Sequence, residues 1–409
     1  VSFGVCSTEN AVIDATRMQI EGAFRILLLA LAICSPLLMA GVEASTLGPQ
    51  RTMLFMIAWA PNTPDPVWVE QGRQAIFGTD VYSLDTFYRW SSYGQTWFYG
   101  DTLAISIPWS SGCDRGTWIQ LADAEAGRRG YDITLYPRRI YAYTSWDCPF
   151  RAAGSSGPLF TNPDGTHFSM TFFAGNLGPR QHEMGHSFGL SHANSSNGVE
   201  YGDPTDIMGS GFHGFSAAYR AALGWLGWTE ITQPGTYQVT NLDATTGQRV
   251  LRIYRPANRD YYYVGYRQGS EPWATFNPQL FTGVNIHSWT GIPWSPQRYD
   301  TDHSFLYDAT PGSTYGYLDA QLRDGAWFCD STNGIQVKQM SHDGGSATVY
   351  ISFGPCSPPV PKPQCSDGLD NDGDGLIDYP ADPGCTNADD SDETEKPCVP
   401  RGQSGKCRK

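Results

Sequence analysis

Positive charge is scarce in this sequence: 27 Lys and Arg stand against 41 Asp and Glu, a net charge of -14. A nucleic-acid partner is therefore not expected. None of the ten cysteines falls in a Cys-x-x-Cys pair, which argues against a thiolate zinc finger and against a dithiol redox motif. There is no internal repeat, so a solenoid or propeller array is excluded. The apolar run at residues 26–40 is fifteen long and broken by Pro36, short of the roughly 20 residues that span a bilayer. Stable membrane insertion is not expected.

What that run does resemble is an export signal. Arg25 precedes it and Val42-Glu43-Ala44 follows as a cleavage site, the three-part pattern of a secretory signal. Residues 1–44 are predicted to be the signal region, with Met18 as the candidate start and Ser45 as the first mature residue. Removing them removes Cys6 and Cys34 and leaves eight cysteines, an even number for an exported chain. Spacing suggests Cys113 with Cys148, Cys329 with Cys356, Cys365 with Cys385 and Cys398 with Cys407. The protein is expected to be secreted, extracellular and a monomer.

The 409 residues, 40% of them hydrophobic, suffice for two or three domains. The run "TMLFMIAW" reads as a buried strand, "VWVEQGRQAIFG" and "SLDTFYRWSSYG" follow with helical or mixed spacing, and "QTWFYGDTLAISIP" alternates like a strand. In "DRGTWIQLADAEAGRRGYD", Asp114 can cap a helix whose Trp118, Leu121, Ala122 and Ala126 share a stripe, and Gly130 can end it. "RRIYAYTS" and "HFSMTFFAG" are further strands, and "SAAYRAALGW" is a short capped helix. From residue 229 the pattern changes to short alternating segments such as "GTYQVT", "DYYYVGYR", "GVNIHSW" and "ATVYISF", the signature of an all-β sandwich. The expected fold class is α+β: a catalytic unit over 45–228, a β-sandwich over 229–354, a Pro-rich linker at 355–364 and an Asp-rich tail at 365–409.

Chemistry concentrates in "HEMGHSFGLSH", residues 182–192, which holds three of the eight histidines. Residues four apart share a helix face, so His182 and His186 aim at one point. Gly189 can take the positive φ that ends a helix, returning the chain so that His192 joins them. Three protein ligands suit a catalytic zinc, whose fourth position is left to water. Glu183, beside the first histidine, is placed to act on that water. A bare His-x-x-x-His pair is as often ordinary; Glu183, Gly189 and His192 at these offsets make that reading improbable. Downstream, "YGDPTDIMG" puts Met208 in a turn, a position that taken alone reads more often as core. His167, His213, His287, His303 and His342 carry no such spacing and read as structural or surface residues.

Taken together, "HEMGHSFGLSH" and "YGDPTDIMG" resemble the metzincin zinc peptidases, and within them the gametolysin-like family. "SSYGQTWFYGD", "YYYVGYR" and "FLYDATPGS" fit the same resemblance, which spans residues 52–353. It implies a metzincin-like zincin catalytic domain, zinc on His182, His186 and His192, Glu183 as the base that activates a zinc-bound water, and Met208 as the Met-turn. It implies hydrolysis of protein or peptide substrates of the extracellular matrix or cell wall. One departure stands out: some metzincins carry a tyrosine two residues after the Met-turn methionine, and here that residue is Ser210, so no tyrosine is assigned to the oxyanion. Glu200, Asp203 and Asp206 read as a solvated acidic loop rather than a cation site.

Residues 365–395 contain eleven Asp and Glu and no Lys or Arg, so the remaining chain is only about -3 (-14 + 11). Within them "DGLDNDGDGLID" spaces Asp370, Asp372 and Asp374 like half a calcium loop. Position twelve is Ala381 rather than Glu, and Asp378 and Asp382 are the candidate substitutes. Calcium is the expected second cation, set against a disordered solvating tail. The rival reading of the whole chain is an extracellular adhesion or carbohydrate-binding protein with a vestigial zinc site, using Tyr261, Tyr262 and Tyr263 as a binding face.

Overall fold

The computed structural model describes residues 45–108, 114–144, 152–155, 157, 160–175, 177–269, 278–290, 303–356, 363–366 and 370–394. The signal region, the Cys113–Cys148 and Cys398–Cys407 pairings and most of the Pro-rich linker lie outside those residues.

The amino-terminal sheet grows from one apolar strand. β1 (Gly48–Trp59) pairs in parallel with β2 (Thr96–Ile107) and with β3 (Arg138–Tyr143). β3 continues in parallel to β6 (His167–Ala174), and β4 (Ala152–Gly154) closes the path as an antiparallel strand; β5 (Phe160–Thr161) also pairs with β6. Residues 53–58 are buried throughout because both faces of β1 are covered, as expected of a parallel sheet between helical layers. Leu54 and Met56 enter one core and Met53, Phe55 and Ile57 the other.

Helices are set by local signals. α1 (Pro66–Phe77) starts with Asp65 accepting from the Val67 amide and with Pro66 in its first turn, and α2 (Leu84–Ser91) is capped by Ser83. α3 (Arg115–Arg128) is capped by Asp114 and buries Trp118, Ala122 and Ala126, while Leu121 on the same stripe is half-buried. Gly130 follows it at φ +87°. α4 (Arg180–Ser187) carries the first two histidines, and α5 (Ala217–Ala222) is capped by Ser216.

Two further sheets face one another. The first runs β7 (Ala193–Ser195), β13 (Ser304–Leu306), β12 (Gly283–Trp289), β11 (Asp260–Arg267), β10 (Leu251–Arg255) and β8 (Thr229–Glu230). The second runs β14 (Trp327–Asp330), β15 (Ile335–His342), β16 (Ser346–Phe353) and β9 (Gly235–Thr240). Between them lies a core of Ile253, Tyr262, Val264, Ile286, Val337 and Val349, among others. The fold class is α+β.

The β-rich half is not packed apart from the helical half. Leu242, Val250, Tyr263 and Trp289 share one core with Leu54, Met184 and Met208. β7, which begins one residue after His192, pairs in parallel with β13. The sheet that holds β11 and β12 therefore continues, through β13, to the strand that follows His192. Disulfides join Cys329 to Cys356 and Cys365 to Cys385, two of the pairings expected from spacing.

Candidate metal centre

α4 is seated before its histidines are placed. The Tyr88 hydroxyl donates to the Gln181 carbonyl at 3.0 Å, and the Gln181 amide donates to the Tyr82 carbonyl at 2.6 Å. Met184 is buried on the core side, which leaves His182, Glu183 and His186 on the opposite, half-buried side. The helix then stops abruptly. Gly189 sits at φ +91°, its amide reaches the His186 carbonyl at 2.7 Å and the Leu190 amide reaches the Gly185 carbonyl at 3.1 Å, the two bonds of a Schellman end. That reversal carries His192 back over the helix.

The three imidazoles converge. Ring centroids are 4.8 Å apart for His182 and His186, 4.8 Å for His186 and His192, and 5.5 Å for His182 and His192. One ring nitrogen from each lies within 4.8 Å of the others. The opposite nitrogens are all held: Nδ1 of His182 meets the Ile207 carbonyl at 2.8 Å, that of His186 the Leu190 carbonyl at 2.8 Å, and that of His192 the Glu200 carboxylate at 2.7 Å. Carbonyl and carboxylate oxygens only accept, so each Nδ1 carries a proton, the tautomer that leaves Nε2 as the lone-pair donor of a neutral ring. Burial, and after it the neighbouring His192, pushes His182 below the ordinary imidazole value against the pull of the Ile207 bond. Three neutral imidazoles with their lone pairs turned together form a donor set that fits a zinc-type cation.

Glu183 stands beside this set. Burial pushes its carboxyl up to about 7, opposed by a hydrogen bond from the Gly154 amide. β4 lies so close to α4 that a Cβ at Gly154 would fall 2.1 Å from the Glu183 carbonyl oxygen. A cation on the three imidazoles would act on Glu183 in the opposite sense, favouring its carboxylate.

Met208 packs against α4. It is fully buried, and a Cβ at Gly185 would lie 2.3 Å from its sulfur. Its amide donates to Asp206 at 2.8 Å and its carbonyl accepts from Ala193 at 2.9 Å.

The acidic residues between His192 and Met208 correct the solvated-loop expectation. Asp203 and Asp206 are fully buried. Asp203 accepts from the Thr205 amide at 2.7 Å and meets His287 Nε2 on β12 at 2.9 Å; Asp206 accepts from the Ser216 amide at 2.6 Å. Burial raises Asp206, with the Asp203 charge adding to it; burial opposes Asp203, but the His287 charge and the bonds from His287 and Thr205 leave it below the ordinary range. Glu200 is exposed and serves His192. Sequence reasoning missed that role, and it missed Tyr201, whose ring centroid lies 3.9 Å from that of His192. Burial first, then the charges of Glu200 and Glu183, raises the Tyr201 phenol. His303, read as ordinary, meets the His192 carbonyl through Nδ1 at 3.0 Å.

In the tail, Asp370, Asp372 and Asp374 come within 4.8 Å of one another and are exposed. Asp370 accepts from the Gly373 and Gly375 amides at 2.7 and 3.0 Å, Asp372 from Asp374 at 3.1 Å and Asp374 from Leu376 at 2.7 Å. Asp378 and Asp382 are not in that group, and Asp382 is buried. Carboxylates that cap their own loop in this way do not by themselves assign calcium.

Residues 166–265 match the family described as gametolysin peptidase M11. Over this stretch the chain is similar to the gametolysin peptidases. The match runs from β6 through α4 and the Met208 turn into β11, a shorter stretch than the resemblance over residues 52–353. It brings the class metallopeptidase, and with it a metal and protein substrates. No curated protein matches the chain. Among the described residues no helix is long and apolar enough to cross a membrane.

Proposed function

We propose that this protein is a secreted zinc endopeptidase of the metzincin type that hydrolyses extracellular or cell-wall proteins. One observation carries the reading: three imidazoles converge with every Nδ1 held by an acceptor, and Glu183 sits beside them. His182, His186 and His192 would hold the zinc. Bound there, zinc supplies Lewis-acid chemistry, polarising a carbonyl and making water acidic enough to attack it near neutral pH. The Glu183 carboxylate takes the proton of the attacking water on one oxygen and returns it to the departing amine nitrogen.

Substrate placement follows from the sheet. β4 ends the path beside α4, so an extended peptide can pair along that edge with a carbonyl facing Glu183. The two disulfides support an oxidising compartment. Against the adhesion reading, Tyr262 and Tyr263 are fully buried and supply no binding face.

The test is a contrast of two variants. Glu183→Ala leaves the three imidazoles in place, so zinc content should stay near wild type while casein digestion falls about 10²–10⁴-fold. His186→Ala should lose both metal and activity, since two ligands hold zinc poorly. A Glu183→Ala protein as active as wild type would sink the reading.

A further inference from the structure

Ser210 leaves the site without the tyrosine that would follow the methionine turn, yet a tyrosine reaches the same imidazoles from the other side of that turn. Tyr201 lies with its ring centroid 3.9 Å from His192 and 5.8 Å from His182, inclined to the two rings by 37° and 32°. Its backbone sits at φ +59°, a left-handed conformation that a bulky aromatic residue adopts only when its surroundings enforce it. The surroundings here are specific. The Tyr201 amide donates to Asn194 Oδ1 on β7 at 3.1 Å. Glu200 on one side is tied to His192, and Gly202 on the other is packed so tightly that a Cβ there would lie 2.2 Å from Ser195 Oγ. The loop is thus fastened on both flanks. Tyr201 itself remains 41% exposed, open to a substrate lying over the histidines.

We propose that Tyr201 is a further catalytic residue of this site, its hydroxyl donating a hydrogen bond to the oxygen of the scissile carbonyl as that oxygen becomes negative. The inference rests on the peptidase reading above. When water attacks the carbonyl carbon, the C=O π pair moves onto oxygen; the phenol O–H, protonated near neutral pH, stabilises that charge by donation and transfers no proton. The pair returns as the C–N bond breaks, and the amine takes its proton from Glu183. A left-handed backbone pinned by its neighbours keeps this tyrosine at the imidazoles, where such strain has a use. Simple ring packing on His192 would need only the ring.

Tyr201→Phe separates the two, since it keeps the ring and removes the hydroxyl. In the zinc-loaded full chain it should leave zinc content, melting temperature and KM close to wild type and lower kcat about 10²–10³-fold, the cost of one oxyanion donor. A phosphinic peptide, which carries a tetrahedral anionic centre, should bind more weakly by a similar factor in calorimetry, whereas the cleaved product peptide should bind unchanged. Tyr201→Leu should additionally loosen zinc, because the ring that packs on His192 is gone. A Tyr201→Phe protein that matches wild type in kcat and in phosphinic-peptide affinity overturns the assignment and leaves the peptidase reading standing. A wild type that holds no zinc and cleaves nothing overturns both.

Discussion

Glu200 accepts the Nδ1 proton of His192 across 2.7 Å, whereas His182 and His186 give theirs to main-chain carbonyls. One of the three imidazoles thus depends on a side chain, and an exposed one.

That asymmetry makes Glu200 the replaceable part of the ligand support. Glu200→Ala should weaken zinc affinity about 10–100-fold, the usual cost of losing an outer partner of a metal-bound histidine. Because the carboxylate is largely solvent-exposed, folding stability should hardly move. Glu200→Gln keeps an acceptor oxygen and should retain most of the affinity. Competition titration against a chromophoric chelator reads the difference; equal affinities for wild type and Glu200→Ala would remove Glu200 from the site.

Gly185 and Met208 should behave as a size-matched pair. An added methyl at Gly185 meets the Met208 sulfur at 2.3 Å and its terminal carbon at 3.2 Å. Gly185→Ala is expected to cost about 1–3 kcal/mol through overpacking, despite the better helix propensity of alanine. Met208→Ala alone should cost about 2–5 kcal/mol by opening a cavity. Combined, the two should cost less than their sum, with a coupling of about 0.5–3 kcal/mol. Urea melts of the three variants check this, and strict additivity would mean that the residues do not share the space.

The parts legible in the sequence are those encoded within a few residues. The His182/His186 pairing follows from helix periodicity, the return of His192 from a glycine at the one position needing positive φ, and the starts of α3 and α5 from Asp114 and Ser216. What stayed hidden depends on partners brought in by the tertiary fold. Asp203 and Asp206 look like surface acids until β12 delivers His287, 84 residues further on. Tyr262 and Tyr263 look like a candidate binding face until the two sides of β11 are seen to enter two different cores. Tyr201 carries no spacing signal, because its position over His192 comes from a loop pinned by Asn194 on β7.

The buried Asp203–His287 contact gives the last prediction, and its sign follows from the direction of each carboxyl. Asp203 is held below the ordinary carboxylate range in the folded protein. It therefore contributes stability that is present above about pH 4 and is lost as pH falls further, through its folded value. Asp206 is raised, so its contribution runs the other way, largest in acid and lost as pH rises. Asp203→Asn strips a buried histidine of its anionic partner and should cost about 3–5 kcal/mol near neutral pH. That gap should begin to narrow below about pH 4, where the unfolded chain takes up the proton first, and close further as folded Asp203 follows at lower pH. Asp206→Asn should show the reverse trend, doing most harm in acid and least near pH 7. Wild type and each variant shed metal together as histidines protonate, so the difference between their urea melts at each pH isolates the carboxyl. A gap for Asp203→Asn that stays constant from pH 7 to pH 3 would mean that the contact is not ionic, and that burial, not charge, fixes the strand β12 against the loop that carries Asp203.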